Sequence, residues 1–154
     1  MIEKMLEKDL DAVLKIEEEV FTSRWTRDQL LYELNENEFS HLYVIRLDDK
    51  VIAYAGIWIL FERAEITTIA VSKKHQGKGY GRMLLKHLLR IAIANNCDIC
   101  SLEVRPSNQI AINLYESLGF EKLRIRKDYY ADNHEDAIEM IRLIGGLNEE
   151  DFGY

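Results

Sequence analysis

Residues 75–82 read His-Gln-Gly-Lys-Gly-Tyr-Gly-Arg. They follow an apolar segment rich in β-branched residues and precede an amphipathic one, which predicts a loop between a strand and a helix. Successive N–H groups of such a loop, together with the positive end of the helix, can hold an anion. The three glycines carry no Cβ atoms, so a ligand can approach the backbone closely. The stretch therefore predicts an anion-binding β-loop-α unit.

The glycine spacing excludes two common phosphate-binding motifs. A Walker A loop requires Gly-Lys-Ser/Thr after a four-residue gap, and the sequence contains none. A dinucleotide fingerprint counted from Gly77 fails because its third glycine position is Arg82. Lys78 and Arg82 are the cations best placed for phosphate contact, whereas Lys86 and Arg90, on the same helical face, are more typical of a solvated surface.

Charge is distributed unevenly along the 154 residues. The chain has 20 Lys+Arg and 27 Asp+Glu, a net charge of -7. No acidic residue lies between Glu65 and Asp98, where Lys and Arg contribute +6, which leaves -13 for the rest. This balance argues against general nucleic-acid binding, which demands a positive face. The anionic remainder suits a basic polypeptide partner, although solubility alone would also explain it.

The remaining pattern predicts one α/β (α+β) domain with a mixed twisted sheet of about six to seven strands and about four helices. Two helices come first, the second opened by a Thr26-x-x-Gln29 capping box. The domain is expected to span residues 1–144, with 145–154 forming a flexible acidic tail. The other predicted elements are strands near 41–47, 51–60, 65–71, 99–104, 122–126 and 137–143, and helices near 79–95 and 108–118.

Targeting and metal signals are weak. The longest apolar run, residues 51–61, is shorter than the roughly 20 residues of a membrane-spanning helix, and the first ten residues do not resemble a secretory signal. Cys97 and Cys100 are interpreted as reduced core thiols rather than half of a zinc site. We expect a cytoplasmic protein without a metal or a membrane partner. The histidines without metal-ligand spacing are His41, His75, His87 and His134.

The loop at 76–81, followed by Asn108 and then by Tyr-Glu-Ser-Leu-Gly-Phe at 115–120, resembles the GNAT superfamily of N-acetyltransferases. The resemblance extends from Met1 to about Ile144. It implies the GNAT fold, with central strands splayed around acetyl-CoA. The acetyl-CoA contacts that it implies are Ile69, Ala70, Val71, Gln76, Gly77, Lys78, Gly79, Tyr80, Gly81, Arg82 and Asn108.

Two further residues fit acyl transfer to an amine. Glu103 lies in an apolar strand, where a carboxylate is costly unless it is paired or used, although an exposed position on a half-buried strand is an equal alternative. Tyr115 lies two helical turns after Asn108 and by itself is more typical of core packing. The family resemblance makes Glu103 the proton acceptor and Tyr115 the proton donor in direct transfer without an acyl-enzyme.

The substrate side resembles the branch of this family that acetylates ribosomal proteins. That resemblance implies the N-terminal alanine of small-subunit ribosomal protein eighteen as acceptor, with Trp25, Tyr129 and Tyr130 near it. Arg24 stands where the branch commonly has Pro, and the two tyrosines equally fit a hairpin packing pair. The alternatives are a broader N-terminal or small-amine acetyltransferase and a non-catalytic acetyl-CoA-binding module. Retention of both Glu103 and Tyr115 disfavours the last.

Overall fold

The computed structural model describes residues 1–21 and 24–153. Within them a seven-stranded sheet carries four α-helices, as the sequence predicted. The strands are β1 (Ile2–Lys4), β2 (Ser40–Leu47), β3 (Lys50–Leu60), β4 (Arg63–Val71), β5 (Ile99–Val104), β6 (Glu121–Arg126) and β7 (Ala137–Leu143). The helices are α1 (Leu10–Val20), α2 (Arg27–Asn35), α3 (Tyr80–Ala94) and α4 (Gln109–Ser117).

The sheet runs in the order β1-β2-β3-β4-β5-β7-β6, and its only parallel neighbours in the described chain are β4 and β5. Their pairing is limited to a short segment of each strand, Arg63–Glu65 on β4 and Ile99–Ser101 on β5. The register between β3 and β4 shifts at Gly56/Ile57, which leaves Thr67 as an extra residue on β4. A bulge of this kind bends a strand, and β4 and β5 diverge beyond it. The expected splay of the central strands is confirmed.

The two faces of the sheet have separate apolar cores. Leu84, Leu85 and Leu88 of α3 pack on one face. Leu10 of α1 and Leu30 of α2 pack on the other. On this second face α1 packs mainly on β3 and β4 and α2 mainly on β2, which leaves the β5-β7-β6 half of that face largely open in the described chain.

The helix-capping signals predicted from the sequence are confirmed. The Thr26 side chain accepts a hydrogen bond from the Gln29 N–H at the start of α2, in the predicted capping box. At the end of α4, Gly119 has a φ of 89°, and the Phe120 N–H donates to the Tyr115 carbonyl at 3.1 Å. This Schellman geometry satisfies helix carbonyls that would otherwise lack partners.

The prediction of a frayed tail is wrong for its described part. Glu149–Phe152 form a 3₁₀ turn against α3, and Phe152 is only 6% exposed. The guanidinium of Arg142 lies 5.7 Å from the Phe152 ring. The acidic composition suggested a solvated tail, but burial of one aromatic side chain outweighs that tendency. Tyr154 lies outside the described residues.

Cys97 and Cys100 are both free and buried, as the core interpretation predicted. The Cys97 thiol donates to the Phe61 carbonyl at 3.4 Å. Burial raises the pKa of both thiols. In the described ranges no helix has the length and apolar character needed to cross a membrane.

Candidate active site

The glycine loop has the backbone geometry expected of an anion cradle. Gly77 and Gly79 have φ values of 77° and 90°, a region that L side chains rarely adopt, and Gly79 is the N-cap of α3. The N–H groups of the first turn of α3 have no acceptors within the helix, so they are available to an anion. Gly81 instead lies close to α4, because a Cβ there would meet Leu114 at 3.5 Å. The loop therefore sits at the junction of α3 and α4.

Three of the residues predicted to contact acetyl-CoA form hydrogen bonds with other parts of the protein through their side chains. Gln76 Nε2 donates to the Val71 carbonyl at 3.0 Å, closing the end of β4. Arg82 donates to Ser117 Oγ at 2.8 Å and so ties α3 to α4. The Asn108 side chain caps α4 by accepting from the Ala111 N–H at 3.3 Å. These side chains shape the cradle, whereas Lys78 is exposed at its rim.

The gap between β4 and β5 exposes backbone groups of β4. The Ser72 N–H donates to Ile52 of β3 at 2.8 Å. Because successive backbone groups of a strand point to opposite sides, the N–H groups of Val71 and Ile69 face the gap. The side chain of Ala70 is buried in the core under α1. Two preorganised donors therefore point into the space between the diverging strands.

Glu103 lies on the open half of the sheet, directly opposite Glu139 on β7. Arg126 of β6 pairs with both, its Nε lying 3.5 Å from Glu103 Oε1 and its Nη2 lying 3.7 Å from Glu139 Oε2. Glu103 Oε2 is buried and has no hydrogen-bond partner among the described residues. Glu65 faces the same cluster, and burial together with Glu103 and Glu139 raises its pKa. Glu103 thus keeps one oxygen available to accept a proton.

Tyr115 is held inside the α4 side of the gap. Its ring lies 6.0 Å from Phe120, the predicted contact of the helix cap. Burial, with a smaller contribution from Tyr130, raises the pKa of Tyr115 to about 12. The phenol is therefore protonated throughout the physiological pH range, as a proton donor must be.

The loop between β6 and β7 brings Tyr129 and Tyr130 to this cluster. Interaction with the Glu103 carboxylate, first by hydrogen bonding, raises the pKa of Tyr129 to about 12. Tyr130 packs edge-on against Tyr129 with centroids 5.1 Å apart, and it interacts electrostatically with both Glu103 and Tyr115. The structure therefore brings Glu103, Tyr115, Tyr129 and Tyr130 together.

Comparison with known proteins agrees with this geometry. The sequence profile described as the acetyltransferase (GNAT) family matches residues 10–120. The chain belongs to the GNAT acetyltransferase family. GNAT acetyltransferases use acetyl-CoA.

Several GNAT relatives are similar over most of their length. The [ribosomal protein bS18]-alanine N-acetyltransferase of Salmonella typhimurium is 37% identical over 134 residues, 86% of this chain and 89% of the relative. A Bacillus subtilis protein with a provisional assignment to that activity is 40% identical over 139 residues, 90% and 92% of the two chains. The crystal structure of the Escherichia coli ribosomal-protein-S18-alanine N-acetyltransferase has a TM-score of 0.87 at 33% identity, covering 97% of this chain and 96% of that one.

Sequence reasoning missed Arg105, which anchors the tyrosine loop of this GNAT site. Its guanidinium lies 3.8 Å from the Tyr130 ring centroid and donates to Asp132 and Asn133. Glu135 completes the anchor by accepting from the Ser107 N–H at 2.8 Å. The signal available in the sequence was a cation two residues after Glu103 and an acidic loop much later in the chain. Only the tertiary fold shows that Arg105 pairs with that loop.

Trp25 lies away from this cluster, on the α1–α2 side of the GNAT fold. Its N–H donates to Glu17 Oε2 at 3.0 Å, and its side chain lines a cavity with Trp58. Glu17 is 1% exposed, and Oε1 has no hydrogen-bond partner among the described residues. Burial raises the pKa of Glu17 to about 7, against the opposing effects of the Trp25 N–H and Arg24. The segment carrying Trp25 is thus fixed by a buried carboxyl group that is protonated below neutrality.

Glu17→Gln is expected to flatten the pH dependence of stability. Between pH 4.5 and about 7 the folded state of the native chain holds a proton that the unfolded state has lost, so the free energy of unfolding falls as pH rises through this window. The loss reaches about 3 kcal/mol above pH 8, and Gln avoids it while still accepting from Trp25. Thermal unfolding midpoints between pH 5 and 8 measure the effect. Glu18→Gln, an exposed neighbour, is the control, and parallel curves for Glu17→Gln and native protein would contradict the assignment.

Proposed function

We propose that the protein transfers the acetyl group of acetyl-CoA to the N-terminal α-amine of a protein, and that its acceptor is the N-terminal alanine of ribosomal protein bS18. The names of the Salmonella and Escherichia relatives support this acceptor. The observation that carries the proposal is the Glu103 oxygen that has no hydrogen-bond partner among the described residues. It lies on β5 just beyond the last residue paired with β4, and Tyr129 of the β6–β7 loop interacts with the same carboxylate.

Glu103 accepts the proton of the incoming amine, directly or through a water. An α-ammonium has a reference pKa of about 7.7–8.0, so a carboxylate held beside it can release the free amine near neutral pH. Tyr129 and Tyr130 flank the entering chain beside Glu103, and Trp25 lines a cavity with Trp58 farther along the same face. A lysine ε-ammonium, with a reference pKa of about 10.4, is harder to deprotonate at the same site.

The free amine attacks the thioester carbonyl directly: a C–N bond forms, the C–S bond breaks, CoA leaves as the thiolate, and the proton that the nitrogen loses passes to the thiolate through solvent. The N–H groups of Ile69 and Val71 stabilise the negative oxygen that forms, because they are fixed in the gap before the reaction starts. The Tyr115 hydroxyl faces the departing sulfur and stabilises the thiolate. Each group is supplied by the folded chain, so no covalent acyl-enzyme and no Ser/His/Asp set is needed.

Two peptides distinguish the acceptor class. We expect rapid acetylation of a peptide with a free N-terminal alanine and little reaction of an N-terminally acetylated peptide whose only amine is a lysine. Mass spectrometry of both products after incubation with acetyl-CoA gives the result. Acetylation of the lysine alone would exclude N-terminal transfer, and preferential acetylation of spermidine over either peptide would favour a small-amine acetyltransferase.

A further inference from the structure

A groove runs along α2 on the same face of the sheet as Glu103. It consists of two adjoining cavities of about 440 and 430 Å³ that share Tyr32 and Trp58 in their walls. Trp25 lines one cavity and Phe39 the other. Tyr32 is 55% exposed, so its ring is accessible to a ligand or partner in the groove. Aromatic faces of this kind attract cations.

The groove is also acidic. Glu36 and Glu38 line one cavity and Glu33 the other, against a single lining cation, Arg24. Glu33 is buried, and its two oxygens accept from Trp58 Nε1 at 2.5 Å and from Asn37 Nδ2 at 2.8 Å, both neutral donors. In the described part of the chain, none of the three carboxylates has an ion-pair partner. The groove therefore complements positive charge.

The sheet register places this groove beside the proposed acceptor site. Trp58 pairs with Glu65, and Glu65 pairs with Ser101, so these side chains form one row across the face. Glu103 lies two residues beyond Ser101 on the same face. Two strand spacings of about 4.8 Å and two residues of about 3.3 Å separate Trp58 from Glu103 by about 12 Å, the reach of three to four extended residues.

We propose that the α2 groove binds a cationic segment of the acceptor polypeptide, with Arg or Lys side chains that begin about four residues after its N-terminal residue. The inference rests on the proposed function, since it assumes that the acceptor amine lies at Glu103. Basic side chains lie over the rings of Trp58 and Tyr32 and reach the carboxylates of Glu36 and Glu38. The groove thus selects among N-termini that share the same first residue.

Binding of N-terminally acetylated peptides tests the groove without requiring turnover. Two peptides of about ten residues share a sequence except that one has Arg or Lys and the other Gln at the fifth to seventh positions. Isothermal titration calorimetry should show the basic peptide binding native protein about tenfold more tightly. The double variant Glu36→Gln/Glu38→Gln should lose about five- to tenfold of that affinity and leave the neutral peptide unaffected.

Glu149→Gln/Glu150→Gln is the matched control, because it removes the same charge from an exposed turn packed against α3, across the sheet from the groove. It should retain the preference for the basic peptide. Equal affinities of native protein for the two peptides would overturn the proposal, as would an equal loss in the control, which would indicate only general electrostatic attraction. Displacement of the basic peptide by spermidine at far lower concentrations would overturn it too, by identifying a small-amine site.

Turnover separates this inference from the function on which it rests. With free N-terminal alanine on the same two peptides, kcat/KM should favour the basic one, mainly through KM, and Glu36→Gln/Glu38→Gln should remove most of the difference. Failure to acetylate either peptide would contradict the proposed function alone. Acetylation of both with equal kcat/KM and equal binding would contradict the groove alone.

Discussion

Glu103→Gln is expected to lower kcat for N-terminal acetylation by about 10³-fold, within the range that a positioned acid or base contributes. Gln preserves the shape of the side chain but cannot accept the proton of the amine. The effect should fall on kcat, since the loop and gap that we assign to acetyl-CoA do not include this residue. Calorimetric titration with acetyl-CoA should therefore give a nearly unchanged affinity.

Two measurements separate proton acceptance from the loss of a charge. Glu139→Gln removes a carboxylate directly across the strand pair, also bound to Arg126, and should cost less than about tenfold because Glu139 has no proposed proton to accept. The rate of Glu103→Gln should also rise as pH increases past about 8, where the amine loses its proton unaided. If Glu139→Gln lost as much turnover as Glu103→Gln, the negative charge of this face of the sheet would explain the loss, and Glu103 would not be the proton acceptor.

Tyr115→Phe is expected to reduce kcat by about 10²-fold, comparable to the loss of one preorganised donor at a developing negative charge. The ring and its contact with Phe120 remain, so the helix cap and the fold should be unaffected. A thiol has a reference pKa of about 8.5, and burial raises the pKa of Tyr115 to about 12, so complete proton transfer to the thiolate is uphill by roughly 5 kcal/mol. The hydroxyl is therefore expected to act chiefly by hydrogen bonding to the departing sulfur.

Tyr130→Phe provides the matched control for Tyr115→Phe. It removes the same hydroxyl group from the neighbouring ring, and we expect it to raise the peptide KM with little change in kcat. Because the Tyr115 phenol stays protonated, the native pH–rate profile should show no descending limb below pH 10. A fall near pH 9 that is absent from Tyr115→Phe would contradict the assigned protonation state, and equal kcat losses in the two variants would contradict a distinct role for Tyr115.

Much of the site could be predicted because its signals are local. The glycine loop requires positive φ at Gly77 and Gly79, and the pattern of an apolar strand before and an amphipathic helix after it is readable along the chain. The Schellman cap that positions Tyr115 depends on residues within one helical turn of each other. Splaying of β4 from β5 came from the family resemblance, since nothing in the residues of β4 alone indicates where its partner stops.

The remaining features depend on contacts between distant segments. The tail at 149–152 resembles a solvated segment until α3 offers Phe152 a place to pack, and Arg105 resembles a surface cation until the β6–β7 loop brings Tyr130 beneath it. Such pairs are set by the sheet order, which places β7 between β5 and β6 against the order of the chain.

The sequence by itself determined the family and the anion-binding loop, and the family resemblance that it carries named Glu103 and Tyr115 as the residues proposed for catalysis. The tertiary structure alone decided that Gln76, Arg82 and Asn108 use their side chains to hold the cradle together, and that Glu103 faces Glu139, Arg126 and Tyr129. The physical reason is the separation along the chain of the residues that interact. Helix caps and turns follow from neighbouring residues, whereas the charge environment of a carboxylate depends on which strands pack beside it.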